Sequence, residues 1–150
     1  MSDHFYTTSV SERDNIAVNL AGYHWENIAC YVLTGQAVGS SPLYRLFNPG
    51  SGDHFYTVDA GERDGAVTNA GYRYEGVACY VQTKQADGTI AFYRAFNNAS
   101  GDHFYTTNST EMDDAVTNGG YAREGIACYV YPDGRAGGVR SIDCGTYHIR

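Results

Sequence analysis

The sequence repeats itself three times, and this repetition constrains the fold more than any other feature. The pentapeptide Asp-His-Phe-Tyr-Thr begins at Asp3, Asp53 and Asp102. Cutting the chain at these points gives segments of 50, 49 and 49 residues, namely 3–52, 53–101 and 102–150. We therefore expect residues 1–150 to form a single domain in which three similar repeats bury their inner faces together.

Each junction between repeats predicts a β-hairpin. The segments Tyr-Arg-Leu-Phe-Asn from Tyr44 and Tyr-Arg-Ala-Phe-Asn from Tyr93 show the alternation that is typical of strands. A glycine-containing turn joins each of them to the Phe-Tyr-Thr segment of the next repeat, which favours an antiparallel pair.

A short helix is predicted in each repeat, followed by one or two further strands. A good N-cap residue precedes a glutamate by three positions, which is the pattern of a capping box, and a glycine then ends the helix. The strand region runs from Tyr23 through Val32 and recurs in the other repeats, where it is rich in aromatic and β-branched residues. The N-caps are Ser9, Asp59 and Asn108, the glutamates are Glu12, Glu62 and Glu111, and the glycines are Gly22, Gly71 and Gly120.

Three repeats of about 49 residues are too few for an open propeller and too rich in β-forming residues for a helical solenoid. We expect an all-β fold, a pseudo-threefold β-trefoil with one short helix in each repeat, because closure leaves no long sheet edge. The third repeat lacks a clear Tyr-Arg-x-Phe-Asn segment. We therefore expect the C-terminal strand, Tyr147 to Arg150, to pair with the first strand and close the domain.

The charge and the cysteines exclude several classes of protein. The net charge is −7, so nucleic acid phosphates and anionic membranes should be repelled. No run of eighteen apolar residues and no basic-then-apolar leader occurs, which predicts a cytoplasmic protein without membrane insertion. Cys30, Cys79 and Cys128 each stand in an Ala-Cys-Tyr-Val segment, which favours reduced and buried thiols.

The sequence contains no constellation that is typical of an enzyme. There is no Gly-x-Ser-x-Gly, no His-Glu-x-x-His and no phosphate-binding glycine loop. The Asp-His dipeptide recurs three times, but no candidate nucleophile recurs with it at a fixed spacing. We expect no catalysis and no cofactor. Three histidines or three cysteines meeting on the pseudo-threefold axis would be needed for a metal site, and we expect none.

The Asp-His dipeptides are the first candidates for a binding site, because each follows a turn at the start of a strand. A carboxylate beside an imidazole offers hydrogen-bond donors and acceptors that suit vicinal sugar hydroxyls. A neighbouring aromatic ring could cover the apolar face of a pyranose. The alternative, in which the aspartate caps the turn and the histidine packs at the surface, stays open. The candidates are Asp3, His4, Asp53, His54, Asp102 and His103.

The second set of candidates lies where the three repeats diverge, at two positions that follow the Gly-Tyr pair. These positions either line the three sites and make them unequal or form a solvated face. They hold His24 and Trp25, then Arg73 and Tyr74, then Ala122 and Arg123. Trp25, Tyr74 and Arg123 are therefore further sugar-binding candidates.

The glutamate that follows the divergent positions is the same in all three repeats. We expect Glu26, Glu75 and Glu124 to bond the backbone or an arginine within the same repeat, and Arg45 and Arg94 to pair with these carboxylates. A direct sugar contact by the glutamates stays open.

These motifs resemble a family of threefold repeats found in fungal and bacterial proteins, often beside hydrolase domains. The resemblance rests on Tyr-Arg-Leu-Phe-Asn, Gly-Asp-His-Phe-Tyr-Thr and Gly-Tyr-x-x-Glu-Gly-x-Ala-Cys-Tyr-Val, and it covers the whole chain. Within that family the chain is most similar to the fungal β-trefoil lectins. This implies binding of galactose and N-acetylgalactosamine at up to three equivalent sites. The Gln-x-Trp signature of ricin-type trefoils is absent, and Trp25 is the only tryptophan.

The function expected from the sequence is that of a multivalent lectin without catalysis. Its partners would be glycans and glycoproteins that carry galactose or N-acetylgalactosamine, and a homodimer is left open. One alternative is a module that binds a protein, such as a protease inhibitor, through a protruding loop, although the near-equal repeat lengths speak against such a loop. Another is an accessory module that holds a polysaccharide for a glycosidase.

Overall fold

Each repeat follows the order strand, helix, strand, strand in the computed structural model, which describes residues 2–148. The nine strands of these residues are β1 (Ser2–Thr7), β2 (Tyr23–Leu33), β3 (Ser40–Asn48), β4 (Asp53–Thr57), β5 (Arg73–Gln82), β6 (Ile90–Asn97), β7 (Asp102–Thr106), β8 (Ala122–Val130) and β9 (Val139–His148). The three helices are α1 (Val10–Asn19), α2 (Ala60–Asn69) and α3 (Ser109–Asn118).

The prediction of an all-β, pseudo-threefold β-trefoil is wrong. All nine strands of the described residues belong to one antiparallel sheet that curls into a half-barrel, and 21% of the chain is helical. The sheet consists of three three-stranded groups: β1-β9-β2, β4-β3-β5 and β7-β6-β8. Single residue pairs join the groups, Leu33 with Tyr80 between β2 and β5 and Gln82 with Tyr129 between β5 and β8.

The predicted hairpins and the predicted partner of the first strand are present. Strand β3 pairs with β4, and β6 pairs with β7, across turns in which Gly52 and Gly101 adopt φ values of 77° and 75°. Strand β9 pairs with β1 from Asp143 to His148, as expected for the C-terminal strand. Of the predicted closing segment, Ile149 and Arg150 lie outside the described residues.

The helices begin at the predicted caps, but only half of the capping box forms. The side chains of Ser9, Asp59 and Asn108 accept hydrogen bonds from the backbone N–H of the glutamate three residues later. The glutamate side chains do not return the bond. Instead the threonine that ends each Asp-His-Phe-Tyr-Thr segment accepts the cap N–H at 3.0 Å. The glutamates are therefore available for other partners.

The centre of the core is a closed ring of three tyrosines, one from each repeat. The hydroxyl of Tyr56 donates to the carbonyl of Tyr6 at 2.8 Å and accepts from the N–H of Tyr6 at 2.9 Å. Tyr105 makes the same two bonds to Tyr56, and Tyr6 makes them to Tyr105, at 2.8–3.0 Å. The rings are 1–2% exposed and meet edge to face. Six hydrogen bonds thus join the three repeats to one another.

Three cysteines surround the tyrosines as free thiols. Cys30, Cys79 and Cys128 are buried, which confirms the prediction for these three residues. Burial raises the pKa of the Cys79 thiol to about 12 and raises that of Cys128 further, because a thiolate would lose its hydration there. The thiols of Cys79 and Cys128 are therefore protonated and unreactive.

Removing residues 147–150 should destabilise the fold, because β9 lies between β1 and β2. The truncation removes the pairings of Tyr147 with Asp3 and Tyr23 and of His148 with Ser2. We expect the melting temperature to fall by about 5 °C or more, as followed by circular dichroism. An unchanged melting temperature would show that these pairings do not hold the ends of the sheet together.

Candidate functional site

The structure brings the three Asp-His dipeptides together at the centre of the molecule. Each aspartate bonds the histidine of the following repeat. Asp3 accepts from the His54 N–H at 2.7 Å and from Nδ1 at 2.6 Å, and Asp53 accepts the same pair of bonds from His103 at the same distances. Asp102 closes the circle by accepting both bonds from His4, at 3.1 and 2.8 Å.

These six residues are positioned to join the repeats and have little surface to offer a sugar. Asp3 is 6% exposed, and Asp53 and Asp102 are 0% exposed. Asp53 accepts a further hydrogen bond from the Tyr72 hydroxyl at 2.5 Å, and Asp102 accepts one from the Tyr121 hydroxyl. Sugar contact by the Asp-His pairs stays a prediction, but the geometry disfavours it. We place the candidate site elsewhere.

The three carboxylates also form the one group in the described residues that resembles a metal site. Their oxygen atoms lie within 4.8 Å of one another. Each carboxylate, however, already faces an imidazole whose pKa is raised. Burial alone would lower the pKa of His54, but hydrogen bonds to Asp3 and Glu75 outweigh it and raise the pKa to about 9. The pKa values of His4 and His103 are raised by the same balance of causes. Each carboxylate is thus paired with an imidazole whose protonated form the pair stabilises.

Two arginines, Arg45 and Arg94, form further ion pairs near this centre. They pair with the predicted glutamates, but the prediction that these glutamates bond an arginine within their own repeat is wrong, because each one belongs to the next repeat. The guanidinium of Arg45 donates to both oxygens of Glu12, and its Nε lies 3.0 Å from Glu75. Arg94 binds Glu62 in the same way and has its Nε 2.9 Å from Glu124. Hydrogen bonds from Arg94, against the opposing effect of burial, lower the pKa of Glu62. The arginines thus connect one repeat to the next.

The divergent positions lie at the surface, and in the second repeat they form a cleft. Tyr74 on β5 is 46% exposed, and the guanidinium carbon of Arg63 on α2 lies 5.3 Å from its ring centre. Arg63 also covers the ring of Tyr44 at 4.5 Å and pairs with Asp64 at 2.8 Å. The cleft has a volume of about 400 Å³, and its lining residues are Arg63, Asp64, Val67, Thr68 and Tyr74.

The first repeat presents the same combination with a larger ring. Trp25 on β2 is 51% exposed, and the guanidinium carbon of Arg13 on α1 lies 5.8 Å from its ring centre. Arg13 pairs with Asp14 at 2.8 Å, just as Arg63 pairs with Asp64. His24, beside Trp25, is exposed as well.

The third repeat lacks this combination. Arg123 stands at the position of Trp25 and Tyr74, and it pairs with Asp113 on α3. Met112 replaces the helix arginine and is fully buried in a small cluster with Ala95 and Phe104. Without an aromatic ring at the surface, the third position offers no stacking platform. Arg73 and Ala122 are exposed beside these positions in the second and third repeats.

Sequence patterns did not single out the helix residues that lie beside the two exposed rings. Arg13, Asp14, Arg63 and Asp64 belong to a Glu-Arg-Asp segment that directly follows each helix N-terminus. The sequence does contain a signal for these residues. The third repeat has Glu-Met-Asp in place of Glu-Arg-Asp, and it is also the repeat that lacks the aromatic residue. Only the packing of the helix against the strand shows that the two departures meet in space.

The Asp-His ring predicts a loss of stability in alkali. A histidine whose pKa is raised in the folded state stabilises the fold fully below its ordinary pKa of 6.5, and this stabilisation is lost as the pH rises through about 9. We expect the midpoint of urea unfolding to fall between pH 6.5 and pH 9.5. The variant His54→Asn should show a smaller fall, whereas the exposed His24→Asn variant should behave as the unchanged protein. Equal pH dependence in all three proteins would contradict the assignment.

No helix among the described residues is long and apolar enough to cross a membrane.

In comparisons with known proteins, no curated protein and no solved structure matches the chain. The resemblance to fungal β-trefoil lectins therefore stays a prediction from sequence. One family does match, described as a domain of unknown function (DUF5648), and the match covers residues 1–131. The chain belongs to the DUF5648 family.

Proposed function

We propose that this protein binds carbohydrate, of the galactose type, at the exposed aromatic rings of the first and second repeats. The observation that supports the proposal is the recurrence of one arrangement. An aromatic ring that is about half exposed lies beside an arginine-aspartate pair in both repeats, with Trp25 in one and Tyr74 in the other.

This combination of groups suits a pyranose. The flat ring covers the C–H face of the sugar, and removal of both apolar surfaces from water stabilises the contact. In galactose the axial O4 leaves carbons 3 to 6 as a continuous apolar patch on one face. Galactose and N-acetylgalactosamine therefore stack on such a ring better than glucose does.

The polar groups at the rim would bind the hydroxyls. The hydrogen bond from Arg63 lowers the pKa of Asp64, so this carboxylate is ionised and accepts hydrogen bonds at neutral pH. The guanidinium of Arg63 supplies donors in the same cleft, and the hydroxyl of Thr68, which donates to the Asp64 carbonyl at 2.9 Å, can accept a hydrogen bond there. A sugar hydroxyl is donor and acceptor at once and can bond both kinds of group.

The proposal does not include catalysis. Hydrolysis of a glycoside generally uses two carboxyl groups on opposite sides of the bond that is cleaved. Among the described residues that line the second cleft, Asp64 is the one carboxylate, and it is held by Arg63. This chemistry suits binding.

Binding at one cleft should be weak, with a dissociation constant on the order of 0.1 to 1 mM, because an open cleft makes only a few hydrogen bonds and one stacking contact. Two such sites on one domain can engage a branched or clustered glycan together. The second contact then benefits from a high effective concentration, which raises the avidity.

Replacement of the rings tests the proposal. Trp25→Ala and Tyr74→Ala should each remove one of two binding sites for methyl galactoside in titrations followed by NMR, and the double variant should bind none. Arg123→Ala at the matching position of the third repeat is the control and should retain both sites. A glycan array on the unchanged protein identifies the preferred sugar.

Two results would contradict the proposal. One is galactoside binding by the double variant at the affinity of the unchanged protein, which would move the site away from the rings. The other is a glycan array without any bound sugar.

A further inference from the structure

The two arginines that join the repeats lie in cages of the same construction. Both oxygens of Glu12 accept from the Arg45 guanidinium at 2.8 and 3.0 Å, and Glu75 lies 3.0 Å from its Nε. The guanidinium carbon lies 5.1 Å from the ring centre of Phe5. A carboxylate in front, a carboxylate at the side and an aromatic face below thus surround one planar cation.

The cage of Arg94 repeats these distances almost without change. Glu62 accepts at 2.8 and 2.9 Å, Glu124 lies 2.9 Å from Nε, and the ring of Phe55 lies 5.1 Å from the guanidinium carbon. The arrangement is therefore a property of the repeat and not of one local contact.

The third copy keeps the walls of the cage but has no arginine in its sequence at the matching position. Strand pairing places Arg45 opposite Tyr56 and Arg94 opposite Tyr105, whereas Cys144 is opposite Tyr6. A cysteine carries neither a guanidinium nor a side chain of arginine's length.

The third copy has a cavity of about 220 Å³, and Glu111, Glu26 and Phe104 line it at the positions that correspond to the walls of the two filled cages. The corresponding cavity beside Arg45 measures about 180 Å³, and its described lining includes Glu12 and Glu75 but not Phe5. The cavity of the third copy is therefore larger and reaches the aromatic ring that the arginine covers in the filled cage. Thr106 and Asn108 add further polar groups. Two glutamates and a phenylalanine at these positions hold a guanidinium in each of the other two copies. This precedent within the same molecule distinguishes the cavity from an ordinary cluster of surface carboxylates.

We propose that this cavity is a binding site for a guanidinium group from outside the chain, supplied either by free arginine or by an arginine side chain of a peptide. The two carboxylate oxygens of Glu111 would accept hydrogen bonds from the two terminal nitrogens of the guanidinium. Glu26 would face its Nε, and the ring of Phe104 would lie below the guanidinium plane. In the filled cages the glutamate at the side also lies 3.4–3.5 Å from a histidine Nε2, so a further contact of this glutamate is compatible with guanidinium binding.

The shape of the cage selects guanidinium over ammonium. A lysine ammonium is a compact cation that cannot span two carboxylates and cover a ring in one plane. The net charge of −7 attracts either cation from a distance, so the discrimination must come from the cavity itself.

The experiment measures binding of free arginine, of an arginine-containing tripeptide with blocked ends and of free lysine by NMR titration. Arginine binding to the unchanged protein, with lysine at least tenfold weaker, is the expected result. Tighter binding of free arginine than of the tripeptide indicates a small-molecule site, and tighter binding of the tripeptide indicates recognition of a peptide. Both results support a guanidinium site.

Three variants test whether the cavity is the site. Glu111→Gln should weaken arginine binding at least tenfold, whereas Asp114→Asn, which removes the same charge from the exposed face of the same helix, should leave it within twofold. Cys144→Arg should fill the cavity from within, abolish arginine binding and raise the melting temperature, while Cys144→Ala should retain binding.

The proposal is overturned if the unchanged protein binds no arginine, or if Glu111→Gln binds it as well as Asp114→Asn does. It is also overturned if Cys144→Arg is folded and still binds arginine at full affinity. None of these variants lies in the aromatic clefts, so galactoside binding should be unchanged in all of them. Failure of this proposal is thus separate from failure of the proposed function.

Discussion

Three tyrosine hydroxyls at the centre of the molecule hold the repeats in register. Each hydroxyl both donates to and accepts from the backbone of another repeat, so Tyr6, Tyr56 and Tyr105 close a ring of six hydrogen bonds. Each such bond contributes about 1 kcal/mol net, but the loss of one partner in this dry centre costs more, because a buried polar group is left unsatisfied. The ring therefore fixes how the strands that carry the tyrosines face one another.

The charged residues near the tyrosines depend on that arrangement. Asp3, Asp53 and Asp102 bond histidines from the next repeat, and these hydrogen bonds stabilise carboxylates that are buried away from water. Two departures from threefold repetition then distinguish the repeats. The aromatic residue is lost at Arg123 and an arginine is lost at Cys144, and these changes make the three repeats unequal in what they can bind.

Local patterns predicted the local structure, and they failed where the repeats meet. The N-cap of Ser9 and the hairpin that contains Arg45 are set by residues close in sequence, so both were predicted. The β-trefoil was wrong because single pairs such as Leu33 with Tyr80 join the strand groups into one sheet, and no short pattern encodes them. The sugar contacts of Asp53 were predicted from its position after a turn, but the next repeat covers that position. The cleft of Tyr74 required knowledge of how α2 packs on β5.

The most direct test of this account is the stability of Tyr56→Phe, which removes one hydroxyl from the ring and leaves its two backbone partners without their hydrogen bonds. The account predicts that the free energy of urea unfolding falls by about 2 kcal/mol or more, in a single transition. Tyr80→Phe, a change of the same size at a half-buried strand position outside the ring, should alter it by less than about 0.5 kcal/mol. Equal stability of the two variants would contradict the claim that the tyrosine ring holds the three repeats together.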